Sequence, residues 1–201
     1  MKKGFIMPDM FSADRILDEI EQSVSPRLFV HICNVAKLSR ELAEIYSSDT
    51  ETAYLAGMLH DAVKEMDKEK QLKIIKDSAT MLDETEKTER NLWHSIAGSI
   101  YIQEKFSITD ANVINAVRYH TSGRKSMSLL EKIIYVADCT SYERTYDGVS
   151  ELRNLARRDI NAAMYEILSF TVCDLIKRGH CICRNTIEAY NEYVAMQRKE
   201  V

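Results

Sequence analysis

The chain has 201 residues, 45% of them hydrophobic, which is enough to bury a substantial core and argues against general disorder. Its formal net charge of -4 lacks the basic balance that marks a nucleic-acid or anionic-membrane partner. Six glycines and two prolines are few for this length and disfavour a fold built on many tight β-turns.

The opening stretch, MKKGFIMPDMF, carries a basic pair but no long apolar run, so neither a signal peptide nor a membrane span is expected and the cytoplasm is the expected location. From there the apolar period is helical almost throughout. Helices are expected over Ser12 to Val24 and, after the Ser25-Pro26-Arg27 start signal, on to about Tyr46. The polar run SSDTE then offers N-caps for a helix reaching about Lys64. A lysine-rich amphipathic helix follows over Lys68 to Ser78, then a polar connector. Further helices are expected near His94 to Phe106, Asp110 to His120, Ser128 to Asp138 and Asp159 to Arg178, with Asn185 to Lys199 last. The stretch from Thr140 to Ala156 is the least regular and reads as a loop with a short helix. No repeat, low-complexity tract or linker interrupts the chain, so one compact all-α domain over residues 1–201, with its core about 12–193, is the expected architecture.

The anomaly is where histidines and aspartates fall on the apolar stripes. His31 heads the face His31, Val35, Leu38, Leu42, Ile45. His60 and Asp61 end the stripe of Ala56, Leu59 and Val63. His94 opens a helix whose inward face includes Ala97 and Tyr101, His120 shares a face with Val113 and Val117, and Asp138 shares one with Leu130 and Ile134. A single histidine on an apolar face is more often a satisfied core residue than a ligand. Four histidines and two aspartates pointing inward from different helices are another matter: a buried carboxylate needs a counter-charge, imidazole binds first-row metals, and helical bundles build metal sites from facing side chains. His180, after a helix and a glycine, reads instead as a helix-end or surface residue. The five cysteines, Cys33, Cys139, Cys173, Cys181 and Cys183, have no paired spacing and read as reduced thiols rather than a zinc site or a disulfide framework.

The ordered set His31, His60-Asp61, Asp138, with His94 and His120 added, resembles the HD superfamily of metal-dependent phosphohydrolases. More narrowly, the stretches LAGMLHDAVKE, AVRYHTSGR and MSLLEKIIYVAD resemble the YqeK family of symmetrical dinucleoside tetraphosphate hydrolases, over about Ser12 to Tyr193. Its R-Y-H-T-[TS]-G-R signature is matched by Arg118 to Arg124. The resemblance is broken after Asp138, where Ser141, Tyr142 and Asp147 replace an expected Glu, Pro and Pro, while Arg144, Gly148 and Val149 are kept.

The resemblance implies an HD-domain helical bundle with a metal site in its core. It implies two divalent metal ions, iron by preference with manganese or cobalt as alternatives, held by His31, His60, Asp61 and Asp138 and by Asp61, His94 and His120. It implies a hydrolase that cleaves diadenosine tetraphosphate into two ADP by a metal-bound hydroxide. Asp61 and Lys64 are then the catalytic candidates, and Lys64, His120, Thr121, Ser122, Gly123, Arg124 and Arg144 the substrate-binding ones. The implied partner is a dinucleoside polyphosphate with ADP or GDP as product ligand, with no nucleic acid or membrane, and with a homodimer left open. The alternatives are another HD phosphohydrolase acting on nucleoside phosphates or cyclic nucleotides, or a nucleotide-binding regulatory module.

Overall fold

The computed structural model describes residues 13–198. Eleven α-helices and one 3-10 turn occupy these residues, and no strand is found among them. In chain order the helices are α1 (Ala13–Ser23), α2 (Pro26–Ile45), α3 (Thr50–Leu59), α4 (Lys68–Asp77), α5 (Glu84–Thr88), α6 (Trp93–Phe106), α7 (Ala111–Tyr119), α8 (Leu129–Thr140), α9 (Val149–Arg158), α10 (Ile160–Arg178) and α11 (Arg184–Gln197); the 3-10 turn, Arg90–Leu92, precedes α6. None of these helices is long and apolar enough to cross a membrane. Ser12 and Lys199, assigned to helix ends from the sequence, lie outside the described residues.

Polar caps start most of these helices, because the first N–H groups of a helix have no partner within it. The side chains of Ser25, Asp49, Asp67, Asp110 and Asp159 each accept a backbone N–H at the start of α2, α3, α4, α7 and α10. At α8 the cap is reciprocal: Ser128 accepts from the Glu131 N–H and Glu131 accepts from the Ser128 N–H.

Helix α2 packs on α3 and α8, α3 on α7, α6 on α4 and α7, and α8 on α10, which in turn carries α9 and α11. The approach of α2 to α3 is set by Gly57, where a Cβ would fall 2.6 Å from the Ala36 Cα. The main apolar core draws on α1, α2, α3, α7, α8 and α10, with Ile32, Val35, Leu59, Ile133 and Met164 among its fully enclosed side chains. A second, smaller cluster of Val63, Ile75, Trp93, Ile96, Ala97 and Ile100 lies between α4 and α6. Each fully buried leucine or isoleucine in these clusters contributes about 1.5–3 kcal/mol relative to exposure.

Three expectations need correction. The helix predicted to run to Lys64 ends at Leu59, and the polar connector, for which no helix was predicted, contains α5 and the 3-10 turn. After Leu59 the bonding shifts to three-residue turns, Ala62 N–H to Leu59 at 3.2 Å, Lys64 to Asp61 at 3.0 Å and Met66 to Val63 at 3.1 Å. The buried Gln71 amide stabilises that shift by donating to the Val63 and Met66 carbonyls at 2.8 and 3.0 Å. Ile45, assigned to the His31 face, is exposed, while Val35, Leu38 and Leu42 are buried.

Candidate metal centre

The cluster is assembled from α2, α6, α8 and the C-terminal ends of α3 and α7. His31 lies in the second turn of α2 and His94 in the first turn of α6. Asp138 is near the end of α8. His60 and His120 are the residues that close α3 and α7, and each turns its Nδ1 back to a carbonyl three residues earlier, Gly57 at 2.7 Å and Val117 at 2.8 Å. A carbonyl only accepts, so the ring proton sits on Nδ1 and Nε2 presents a lone pair to the interior. Ending the helix at the histidine gives both rings the same anchored orientation.

Asp61 stands at the centre, fully buried, at 0% side-chain exposure. Its Oδ2 lies 3.3 Å from His60 Nε2, 3.5 Å from His31 Nε2 and 2.7 Å from the Lys64 ammonium. Its Oδ1 lies 3.3 Å from His120 Nε2 and 3.4 Å from His94 Nε2, yet has no hydrogen-bond partner. One oxygen therefore faces His31, His60 and, beyond them, Asp138, whose Oδ1 is 3.1 Å from His31 Nε2; the other faces His94 and His120. The histidines also crowd each other: Nε2 of His31 and His60 are 3.3 Å apart, and Nε2 of His94 and His120 are 3.2 Å apart. Donor atoms of His31, His60 and Asp138 converge, as do those of His60, Asp61 and His120.

Facing lone pairs beside a carboxylate oxygen without a partner repel unless a cation lies between them. The nitrogen and oxygen donor set, without thiolate, fits a divalent first-row metal. Burial lowers the affinity of His31 for its proton, but contacts with Asp138 and Asp61 outweigh burial and raise its pKa to about 10. Burial pushes His94 down to about 3 and also lowers His60. Burial alone would raise the Asp61 and Asp138 carboxyls; the neighbouring histidines reverse this and hold both below the usual carboxylate range.

Two cations stand at the rim. Burial disfavours the Lys64 ammonium, yet Asp61 and Asp138 more than restore it, so its pKa is raised and it stays charged. Arg144 donates Nη2–H to Asp138 Oδ1 at 2.9 Å and Nε–H to the Asp138 carbonyl at 3.2 Å. The Thr121 hydroxyl lies 3.1 Å from Nε2 of both His94 and His120.

All six metal candidates, Lys64, Thr121 and Arg144 are thus brought together. Ser122, Gly123 and Arg124 are not. The Ser122 hydroxyl donates to the Gly123 carbonyl, and Gly123 adopts φ +63° in the turn that ends α7. The Arg124 guanidinium, expected to meet phosphate, is instead held at two points by Glu131, at 2.6 and 2.9 Å, and Glu131 is only 1% exposed. Tyr119 lies beneath the guanidinium groups of Arg118 and Arg124, and Tyr101 packs edge-on against Phe106. His180 lies apart, 3.8 Å from Glu89.

Sequence reasoning missed the side chains that hold the cluster from outside. Glu143 meets His31 Nδ1 at 2.5 Å, and Arg153 on α9 donates to the carbonyls of Thr140, Ser141 and Arg144, each at 2.7 Å. Both act on an irregular loop, where no apolar period marks an inward residue. The one available signal was Asn34, one turn after His31 on α2, which reaches Glu143 at 2.8 Å.

The family model described as HD domain matches residues 28–143. The chain is 35% identical to "Bis(5'-nucleosyl)-tetraphosphatase, symmetrical" of Bacillus subtilis (strain 168), across 88% of this chain and 94% of that protein. It is 34% identical to the protein of the same name from Halalkalibacterium halodurans, across 88% and 96%. Among solved structures it is similar to a chain of Clostridium acetobutylicum described as a predicted HD superfamily hydrolase involved in NAD metabolism. That likeness has a TM-score of 0.90 and 36% identity, covering 93% of this chain and 99% of the other.

Proposed function

The chain belongs to the HD-domain family, and from that premise we propose that it is a metal-dependent hydrolase of dinucleoside tetraphosphates, cutting diadenosine tetraphosphate symmetrically into two ADP. The observation that carries this reading is the Asp61 carboxylate, fully buried, with one oxygen toward each of two histidine sets and no partner for Oδ1. Such a carboxylate suits two cations. His31, His60, Asp61 and Asp138 would hold one, and Asp61, His94 and His120 the other. Iron is the metal proposed, with manganese or cobalt able to stand in. When bound, the metals supply Lewis acidity toward a phosphoryl group and a lowered pKa for water.

The chain's own groups handle the charge of the polyphosphate. Lys64 and Arg144 are each bonded to a metal-site carboxylate and are 38% and 40% exposed, so their remaining N–H groups face the solvent side where phosphate oxygens arrive. The Thr121 hydroxyl offers a further contact beside His94 and His120. His120 serves on the metal side, and the turn from Ser122 to Arg124 serves to end α7 and brace it on α8. In the reaction the oxygen of water bonds to one of the two inner phosphorus atoms. The bond from that phosphorus to the oxygen bridging the two inner phosphorus atoms breaks, the bridging oxygen departs with the other half, the proton of water passes to solvent, and each half leaves as ADP. Asp61 and Asp138, held ionised by their neighbours, keep the donor set intact at neutral pH.

The test is an anaerobic incubation with iron(II) and diadenosine tetraphosphate, with products resolved by chromatography. ADP as sole product, lost by at least a thousandfold in Asp61→Ala, is expected. ATP with AMP would place cleavage at an outer bridge and overturn symmetrical cleavage. No turnover by metal-loaded protein would overturn this substrate.

A further inference from the structure

The loop after α8 supplies a carboxylate that neither the motif nor the rim cations account for. Glu143 Oε1 lies 2.5 Å from His31 Nδ1 and accepts the Ser141 hydroxyl at 2.6 Å, while Oε2 accepts the Asn34 amide at 2.8 Å. Ser141, fully buried, also stands 3.4 Å from the same His31 nitrogen. The carboxylate is thus fixed at both oxygens and aimed at the face of the imidazole opposite the cluster. Its backbone is fixed as well. Arg153 ties the carbonyls of Thr140, Ser141 and Arg144 to α9, and the Tyr142 hydroxyl on the same loop donates to Glu41 of α2 at 2.6 Å.

We propose that Glu143 is the positioning residue of the metal centre: it holds the Nδ1–H of His31, aims Nε2 at Asp61 and Asp138, and makes that nitrogen a stronger donor. The inference rests on reading the cluster as a metal centre. His60 and His120 receive the corresponding hold from neutral carbonyls, which orient the ring but donate less charge to it. Among the three cluster histidines whose Nδ1 contact is described, His31 alone has a full carboxylate behind it. A ligating histidine backed by a carboxylate is more basic and more rigid, and losing such a partner typically costs about 10–100-fold in metal affinity. Glu143 acts only through His31; it touches no reacting atom, and Arg144, its neighbour, is the one that reaches Asp138.

The experiment is a titration of metal-free protein with manganese(II) or cobalt(II) against a chromophoric chelator, with no substrate present. Glu143→Gln keeps the shape and removes the charge; a fall in affinity of roughly 10–100-fold at one of the sites is expected, with circular dichroism showing the helical fold retained. Asn34→Ala, a change at an outer contact, should weaken binding by less. Activity of Glu143→Gln should be poor at limiting metal and recover at saturating metal, the pattern of a positioning role. Affinity equal to the parent in both Glu143→Gln and Glu143→Ala would overturn the proposal. So would normal affinity combined with activity that stays low at saturating metal, since Glu143 would then act on substrate. Because the titration contains no nucleotide, it stays decisive even if diadenosine tetraphosphate is not cleaved.

Discussion

Lys64 is bonded to the buried carboxylate at 2.7 Å and still more than a third exposed, so one ammonium belongs at once to the core and to the opening. Replacing it with methionine leaves the six candidate metal donors in place and removes one charge. We expect Lys64→Met to retain its metal while kcat/KM falls about 10²–10³-fold, the usual scale for one lost charge-stabilising donor; metal analysis beside steady-state kinetics checks this, and loss of metal together with activity would contradict it. His180→Ala, away from the cluster, should change neither. The six metal candidates were conspicuous in the sequence because each is a polar side chain on an apolar stripe, where a histidine or aspartate stands out. Arg124 is the opposite case, because no local pattern announces its partner. Its partner Glu131 lies in the first turn of α8, and the same carboxylate serves both as the α8 capping group and as the arginine's clamp.

At the scale of elements, the distance between His31 and His60 is the distance between α2 and α3, which Gly57 sets. A Cβ there would meet Ala36 Cα at 2.6 Å and its nitrogen at 3.0 Å, both backbone atoms that cannot swing away. Gly57→Ala should therefore push the helices apart at a cost of about 1–3 kcal/mol. That corresponds to a fall in Tm of roughly 2–4 °C per kcal/mol in a chain of this size. Metal affinity should drop with it, because the two histidines stand on the separated helices; an unchanged Tm and an unchanged metal titration would show that the contact has slack. Long helices with polar starts were readable to within a few residues. The break after Leu59 was not, since it depends on Gln71 arriving from α4 to satisfy the freed carbonyls, and no local pattern reports that. The five residues of α5 are too few for a period to show.

Across the whole molecule the cluster lies between two apolar cores. His31, His60, His120 and Asp138 come from elements of the larger one, and His94 from α6, which carries much of the smaller. Metal bridging Asp61 and His94 would join them. With free metal a thousandfold above its dissociation constant, binding adds about 4 kcal/mol of stability, so chelation should lower Tm by roughly 8–16 °C. Hydrogen exchange should then quicken in α6 and α4 first, while α11, which packs on α10 and carries no ligand, changes least. A uniform change along the chain, or none, would mean that the metal does not tie these parts together. The all-helical architecture was legible from the 3.6-residue period; the division of the core was not, because residues such as Val63 and Ala97 look alike in sequence whichever cluster they enter.

The six metal candidates are drawn from positions 31 to 138, so no short segment carries the centre. During synthesis, a nascent chain cannot complete the donor set of His31, His60, Asp61 and Asp138 until α8 has emerged and folded back onto α2. Closing so long a loop is an entropic barrier that local helix formation does not lower. Completion of that set is therefore a late event, and its appearance in a refolding experiment is a clock for the completed fold rather than for any one helix.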